Sequence, residues 1–346
     1  MPKRVAVVPG DGVGKEVVPE AVKVLKASGA DLAFEDFDIG ADRYLATGVA
    51  LPPEVFKDLS EADAILFGAV GDPRVDEAYA AAVLLRLRFE LDLYVNLRPA
   101  KLFDARLSPL KDAERAVVDL LVVRENTEGA YVGMGGRFKK DTPEEVAVQE
   151  DINTYQGVTR ILEHAFTRAR REVCMVDKAN AMAFAGGLWQ SRWKAIAPRH
   201  PEMGSRHLYS DACAMELVRD PSQFDVIVTG NLFGDLLSDL SAQLIGGMGV
   251  APSANLNPET GRGLFEPVHG SAPKLAGRGI VNPVGAILSS AMMLAHLGFE
   301  AEAAAVEAAV VNAIRAGECT ADLGGGLSTS AAGDAIARRV GERAKA

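Results

Sequence analysis

A chain of 346 residues is longer than a typical single domain and predicts roughly two. Hydrophobic residues make up 48% and charged ones 24%, the balance of an ordinary globular protein with a large core. The formal charge of -10 argues against nucleic acid or an anionic membrane as partner, so an anionic substrate would need a locally basic site. No apolar run approaches the roughly 20 residues of a membrane span. Met1 to Arg4 leads into a short strand rather than a secretory signal, and the expected location is cytoplasmic. Cys174, Cys213 and Cys319 lack paired spacing, which predicts reduced, buried thiols and neither a zinc site nor a disulfide framework.

Arg4 to Pro9 reads as a strand, Gly10 to Gly14 as a turn, and the following stretch as a helix with Val17, Val18, Ala21, Val22 and Leu25 at helical period. The turn spells GxGxG, not GxGxxG. Position 15 is lysine, and Asp11 would lie near a pyrophosphate, so a tight strand-to-helix turn is expected in place of a dinucleotide fingerprint. Leu32 to Ile39 and Ala64 to Gly68 are further strands, with a helix over Pro52 to Leu59 between them. Ala78 to Arg88 is helix-like, and Asp92 to Arg98 is a strand that should end at Pro99. Val117 to Val123 forms another strand that delivers Arg124. A lone surface arginine carries no meaning, but Arg88, Arg98 and Arg124, all near element ends, have planar forks suited to clamping carboxylates.

Gly129 to Thr142 reads as an irregular β excursion, either a dimer-contact arm or a surface loop. A long helix, Tyr155 to Arg171, should bury Val158, Ile161, Leu162, Ala165 and Phe166. Val173 to Val176 is a short strand leading to Lys178, which is a base if held near a cation and otherwise a solvated lysine. Arg206 to Ser210 leads in the same way to Asp211. Phe224 to Thr229 is apolar and β-branched, a buried strand, and the helix after it carries Asp235 and Asp239 four residues apart on one face. Two such carboxylates suit a hard divalent cation, Mg²⁺ or Mn²⁺, with Asp211 as a third candidate ligand. The alternative is a solvated face with Leu236, Leu237 and Leu240 packed inward. Phe265 to Pro273 is a polar loop without strand or helix period, able to hold phosphate and adenine, in which His269 either stacks on a base or is structural. Asn282 and Pro283 open a helix through Leu297, and Glu300 to Ala316 should pack on the outside.

The stretches PGDGVG, LDLYVNLRPAK, VVRENTEGAYVG, VDKAN, YSDACAM, VTGNLFGDLLSDL, FEPVHGSAP and VNPVGAILSSAMML run from Pro9 to Leu294. Together they resemble the β-decarboxylating dehydrogenases of 2-hydroxy acids, the isocitrate/isopropylmalate family, most closely its isopropylmalate branch. The resemblance implies an α/β, two-domain fold with a mixed central sheet rather than an ordinary Rossmann fold. One domain would comprise residues 1–97 plus 251–346, and the other residues 98–250 with an arm at about 129–155. It implies a homodimer with shared active sites, Tyr131 as acid and the second copy's Lys178 as base. Mg²⁺ or Mn²⁺ would be held by Asp235 and Asp239 with Asp211 of the other chain. Arg88, Arg98 and Arg124 would hold substrate carboxylates.

By the same resemblance Asn180 approaches the nicotinamide, and His269, Gly270, Ser271, Ala272 and Asn282 carry the adenosine half. Leu84 and Leu85 occupy the positions that meet the third substituent of malate, and apolar side chains there suit an isopropyl group. The implied reaction is oxidative decarboxylation of 3-isopropylmalate. Ala81 and Ala181 depart from larger residues usual in this branch and leave room for a looser, D-malate or tartrate type of specificity. Lys274 stands where NAD-dependent relatives often have aspartate and NADP-dependent isocitrate enzymes have lysine. Leu275 and the segment Asp322 to Gly325 supply no tyrosine or arginine to complete a 2′-phosphate clamp, so NAD is expected. A Mg²⁺-dependent phosphoryl-transfer enzyme, the reading from another class, would need a GxxxxGK[ST] loop that the sequence lacks.

Overall fold

The computed structural model describes residues 1–111 and 117–343. The chain opens with strand β1 (Lys3–Gly10), helix α1 (Gly14–Ser28), β2 (Leu32–Asp36), α2 (Ala41–Thr47), α3 (Pro53–Ser60) and β3 (Ala64–Ala69). One bent helical segment follows, made of α4 (Glu77–Ala80), a wide π turn (Ala81–Leu85) and α5 (Arg86–Glu90). Then come β4 (Val95–Lys101), β5 (Asp119–Glu125), the hairpin β6 (Gly135–Phe138) and β7 (Val146–Gln149), α6 (Tyr155–Arg168), β8 (Glu172–Asp177) and α7 (Ala183–Ile196). The remainder is β9 (Gly204–Tyr209), α8 (Ser210–Arg219), β10 (Val226–Thr229), α9 (Asn231–Leu244), β11 (Pro252–Asn257), β12 (Arg262–Pro267), α10 (Val284–His296), α11 (Glu300–Arg315) and α12 (Thr329–Arg343). None of these helices is long and apolar enough to cross a membrane.

Ten strands form one sheet in the order β2-β1-β3-β12-β11-β4-β5-β10-β8-β9. Both wings are parallel, while β12, β11, β4 and β5 pair antiparallel in the middle, so the sheet is mixed as expected. The wing β2 to β11 is drawn from residues 3–69 and 252–267, and the wing β4 to β9 from the stretch between. Central strands β3 and β10 are buried at every position, because helices cover both sheet faces and leave no solvent side for alternation. On one face α1, α10, α11 and α12 pack together, and α1 buries Val17, Val18, Ala21, Val24 and Leu25. Val24 takes the inward place expected for Val22, which is only partly buried.

Two expectations need correction. Pro99 does not end its strand: it lies inside β4 opposite Leu121 of β5. Beyond Leu97 that strand is paired on the β5 side only, so the missing N–H at position 99 costs no ladder bond on the other edge. Phe265 to Pro267 is not loop but the end of β12, every residue of it buried and paired with β11; the loop starts at Val268. The β excursion is real, a two-stranded hairpin of β6 and β7 whose residues are all exposed. Leu237 is buried as the inward-packed alternative required, but Leu236 on the same helix is 59% exposed.

Since β5, β10, β8 and β9 run parallel, their C-terminal ends share one edge of the sheet, where ligand sites in α/β sheets form. That edge carries Arg124 at the end of β5, α9 directly after β10, Lys178 after β8 and Asp211 after β9.

Candidate active site

The centre of the edge is a compact ionic cluster. The Arg124 Nη1 donates a short hydrogen bond to Asp235 Oδ1, and Arg98 Nη1 reaches the same oxygen at 3.2 Å. Arg98 also donates to Ser238 Oγ at 2.8 Å and lies 3.5 Å from Asp239 Oδ1. Tyr131, in a short turn at Ala130–Val132, donates its hydroxyl proton to Asp235 Oδ2 at 3.0 Å, and the Arg124 guanidinium sits 5.4 Å from its ring centroid. Asn231 Oδ1 accepts from both Nε and Nη2 of Arg124, at 3.0 and 2.7 Å, and its own amide is anchored on the Glu128 carbonyl at 2.8 Å. Arg124 can pass beneath α9 only because position 234 is glycine: a Cβ there would lie 2.5 Å from Arg124 Cγ.

Charge balance in this cluster is uneven. Burial pushes the Asp235 carboxyl up, but the Arg124 and Arg98 charges outweigh it and hold Asp235 below its ordinary value. For Asp239 burial wins over the more distant Arg98, and its affinity for a proton rises. Burial and then the Asp235 charge raise Tyr131, keeping the phenol protonated at neutral pH. Burial lowers Arg124 to about 9, so it remains a cation at pH 7. The third arginine, Arg88, pairs with buried Glu266 through Nη2 at 2.8 Å. Among the described residues, the Nε atoms of Arg88 and Arg98 are buried with no hydrogen-bond partner. The three arginine charges face three carboxylates, Asp235, Asp239 and Glu266, so a divalent cation on the two aspartates would leave the cluster positive and suited to a multiply charged carboxylate. Leu84 and Leu85, in the π turn just before Arg88, are half-buried and supply an apolar wall.

Asp235 and Asp239 offer hard oxygen donors on adjacent turns, and Asp239, the more weakly held of the two by Arg98, is suited to a divalent cation. The structure does not bring the third candidate to them. Asp211 instead accepts from Lys178 Nζ at 2.6 Å, and no hydrogen bond among the described residues joins this pair to the arginine cluster. Among the described residues of a single protomer no group of three metal-ligating side chains occurs. Asn180 stands exposed two residues beyond Lys178.

At the other end of the site, the glycine turn after β1 shapes the loop that follows β12. Gly12 has φ +55, and a Cβ on it would lie 2.0 Å from the Ser271 carbonyl oxygen, which accepts from Val13 N at 2.9 Å. Buried Asp11 staples this turn by accepting from Ala41 N at 2.7 Å, Gly71 N at 3.0 Å and the Tyr79 hydroxyl at 3.2 Å. It is a structural carboxylate of the turn. The loop holds Ala272 at φ +38, a conformation that non-glycine residues adopt rarely. Gly270 and Lys274 are exposed, and His269 Nδ1 lies 3.0 Å from the Gly270 carbonyl. Burial lowers the His269 pKa, so its ring is neutral at pH 7. Asn282 donates to Asp322 Oδ2 at 2.9 Å. An exposed loop in a strained conformation beside an anchored amide fits the adenosine half of a dinucleotide.

Asn231, Ser238 and Glu266 hold the three arginines, and sequence reasoning did not single them out. Asn231 and Ser238 share α9 with Asp235, so the helical period that paired Asp235 with Asp239 could have found them. Glu266 is 178 residues from Arg88, and nothing local signals that contact.

Residues 4–336 match the family model described as isocitrate/isopropylmalate dehydrogenase. The 3-isopropylmalate dehydrogenase of Thermobifida fusca is 45% identical over 98% of this chain and 98% of its own length. That of Leifsonia xyli is 49% identical over 96% and 97%. The crystal structure of isocitrate dehydrogenase from Methylococcus capsulatus superposes with a TM-score of 0.91 at 36% identity, covering 98% of this chain and 99% of that one.

Proposed function

Because the chain belongs to the isocitrate/isopropylmalate dehydrogenase family, we propose that it oxidatively decarboxylates 3-isopropylmalate to 2-oxoisocaproate, using NAD and Mg²⁺ or Mn²⁺. The observation that carries the substrate is the half-buried apolar pair Leu84 and Leu85 beside buried Arg88. An isopropyl group matches that wall, whereas the extra carboxylate of isocitrate would lose its hydration there without a partner.

Asp235 and Asp239, with Asp211 from a second copy, would hold the metal; His269 to Ala272, Lys274 and Asn282 would hold the adenosine end of NAD, and Asn180 would approach its nicotinamide. When bound, the metal makes the C2 hydroxyl more acidic and the ketone more electrophilic, while NAD accepts the C2 hydrogen as hydride. Arg88, Arg98 and Arg124 would orient the two carboxylates so that the scissile carbon–carbon bond lies next to the new ketone. Lys178 of the second copy would take the hydroxyl proton. When CO₂ leaves, its bonding electrons remain on C3 and the adjoining oxygen, near the arginine charges. Tyr131, kept protonated by its surroundings, would then deliver a proton to C3.

A shared site is supported by where the exposed apolar residues lie. On α8, Asp211 shares a face with Met215 and Val218, and Met215 is 73% exposed. On α9, exposed Leu232 and Leu236 run beside Asp235 and Asp239. A second copy covering these stripes, with its arm residues Phe138, Val146 and Val148 also exposed, would carry its Lys178 and Asp211 toward the carboxylates. The two domains would be residues 1–97 with 251–346 and residues 98–250, with their boundary falling inside β4. Asp322 beside Asn282 places a carboxylate at the cofactor end, which supports NAD over NADP despite Lys274.

Steady-state rates on 3-isopropylmalate, D-malate, tartrate and isocitrate, each with NAD and NADP, test the assignment. The highest kcat/KM is expected for 3-isopropylmalate with NAD. A higher value for D-malate would overturn the substrate reading.

A further inference from the structure

Lys178 leaves β8 in a turn that is held from three sides. Asp177, the last residue of the strand and 3% exposed, accepts from Ala179 N through Oδ1 at 3.1 Å, an Asx-type turn that fixes the backbone on either side of Lys178. The Lys178 carbonyl accepts from Ala181 N at 2.9 Å and Met182 N at 2.8 Å. Ala179 itself lies against Gly186 of α7, where a Cβ would come within 2.4 Å of the Ala179 Cα. The turn therefore has one arrangement, provided the Asp177 carboxylate stays in place.

Two side chains hold that carboxylate. Gln190 Nε2 of α7 donates to Oδ2 at 2.7 Å, and His207 Nε2 of β9 lies 2.9 Å from Oδ1. His207 is braced in turn by Tyr209, whose ring meets it edge-on with centroids 5.0 Å apart. In the parallel register of β8 with β9, Asp177 stands opposite Tyr209 and Met175 opposite His207. The His207 contact thus reaches diagonally across the two strand ends, one of which delivers Lys178 and the other Asp211. Their separation sets where the ammonium and the Asp211 carboxylate sit, 2.6 Å apart.

We propose that His207 is a positioning residue for the base: through Asp177 it fixes the turn that projects Lys178 and ties it to the strand that projects Asp211. The inference rests on the reading of Lys178 as the proton acceptor. Losing a partner that orients an active group costs on the order of ten- to a hundredfold in function. Substrate binding through the three arginines does not pass through this contact, so the loss belongs in kcat.

The test compares the parent dimer with His207→Phe, His207→Gln, Gln190→Met and Lys178→Ala, all with saturating Mg²⁺ and NAD. His207→Phe keeps a ring but no donor, and its kcat should fall about tenfold while KM for 3-isopropylmalate stays within about twofold. His207→Gln can still donate to Asp177 and should recover most of the rate. A parental kcat in His207→Phe, or a glutamine variant no better than the phenylalanine one, overturns the proposal. If His207→Phe does not fold, Gln190→Met decides: a fall in kcat with KM unchanged is expected, and an unchanged kcat overturns it. Full activity in Lys178→Ala would sink the base assignment and this inference together. An inactive Lys178→Ala beside a fully active His207→Phe would sink this inference alone.

Discussion

The arginine side and the lysine side of the site are built differently. Arg124 is 1% exposed and meets its partners inside one protomer, between β5, the Ala130–Val132 turn and α9. Asp211, at the other end of the same sheet edge, has a side chain 67% exposed and, among the described residues, pairs only with Lys178. Desolvation explains why the first half is so heavily cross-bonded, since buried guanidinium groups must find acceptors. The second half pays no such penalty and can be offered outward. On the proposed roles, a site split this way would keep substrate orientation within one chain and leave proton transfer to a surface that a second chain can cover.

The comparison breaks most sharply by disabling one half in each of two subunits. Asp235→Asn removes a proposed metal ligand and strands two arginine charges, and Lys178→Ala removes the proposed base; each homodimer should lose activity by at least about a hundredfold. Mixed subunits should regain activity, up to about a quarter of the parental value if the two variants assort at random, because one of the two sites in each heterodimer is then intact. No recovery on mixing, with heterodimers demonstrated by mass, would mean that each chain builds its site alone. Next in size, Met215→Asp or Leu236→Asp should yield monomers at low concentration by sedimentation, with activity that rises steeply with protein concentration. Concentration-independent activity in a monomeric variant would refute the outward-facing half.

Gly234→Ala sharpens the inward half. Its Cβ cannot coexist with Arg124 in place, so a loss of stability of about 1 to 3 kcal/mol and a raised KM for the diacid are expected. Unchanged denaturation and kinetics would show that Arg124 has slack. The smallest effect is a control remote from both halves. Burial, aided by the Arg168 charge, lowers His164 on α6 to about 4, whereas its ordinary value is 6.5. A histidine depressed in the folded state lends stability above its unfolded pKa and loses it as pH falls through the window from 6.5 to about 4. His164→Gln should flatten the dependence of Tm on pH in that window. An unaltered slope would assign the acid sensitivity to other groups.

The arginine half was largely legible in the sequence because its parts lie at strand ends and along one helical period. Asp235 and Asp239 share a helix face as their spacing suggested, and Arg98, Arg124 and Tyr131 meet Asp235 in one cluster, as the family resemblance implied. What holds them was not legible. Glu266 and Asp322 are paired with Arg88 and Asn282 across long stretches of sequence, and such contacts depend on strand order rather than on any local pattern. The misread ends of β4 and β12 share one cause: proline and glycine signal turns, but sheet pairing overrides them where an edge is open or a backbone is buried.

The π turn at Ala81–Leu85 bears on how such a pocket can change. A widened helical coil accommodates one residue beyond ordinary winding, so removing that residue can be absorbed on the spot. Tyr79 ahead of it is tethered to Asp11, and Arg88 behind it to Glu266, so both ends would hold their stations. The residues between them, Leu84 and Leu85 included, would swing to a new heading. On the proposed role of Leu84 and Leu85, substrate preference would then be open to revision by a change in chain length at one spot, with the Arg88 anchor left standing.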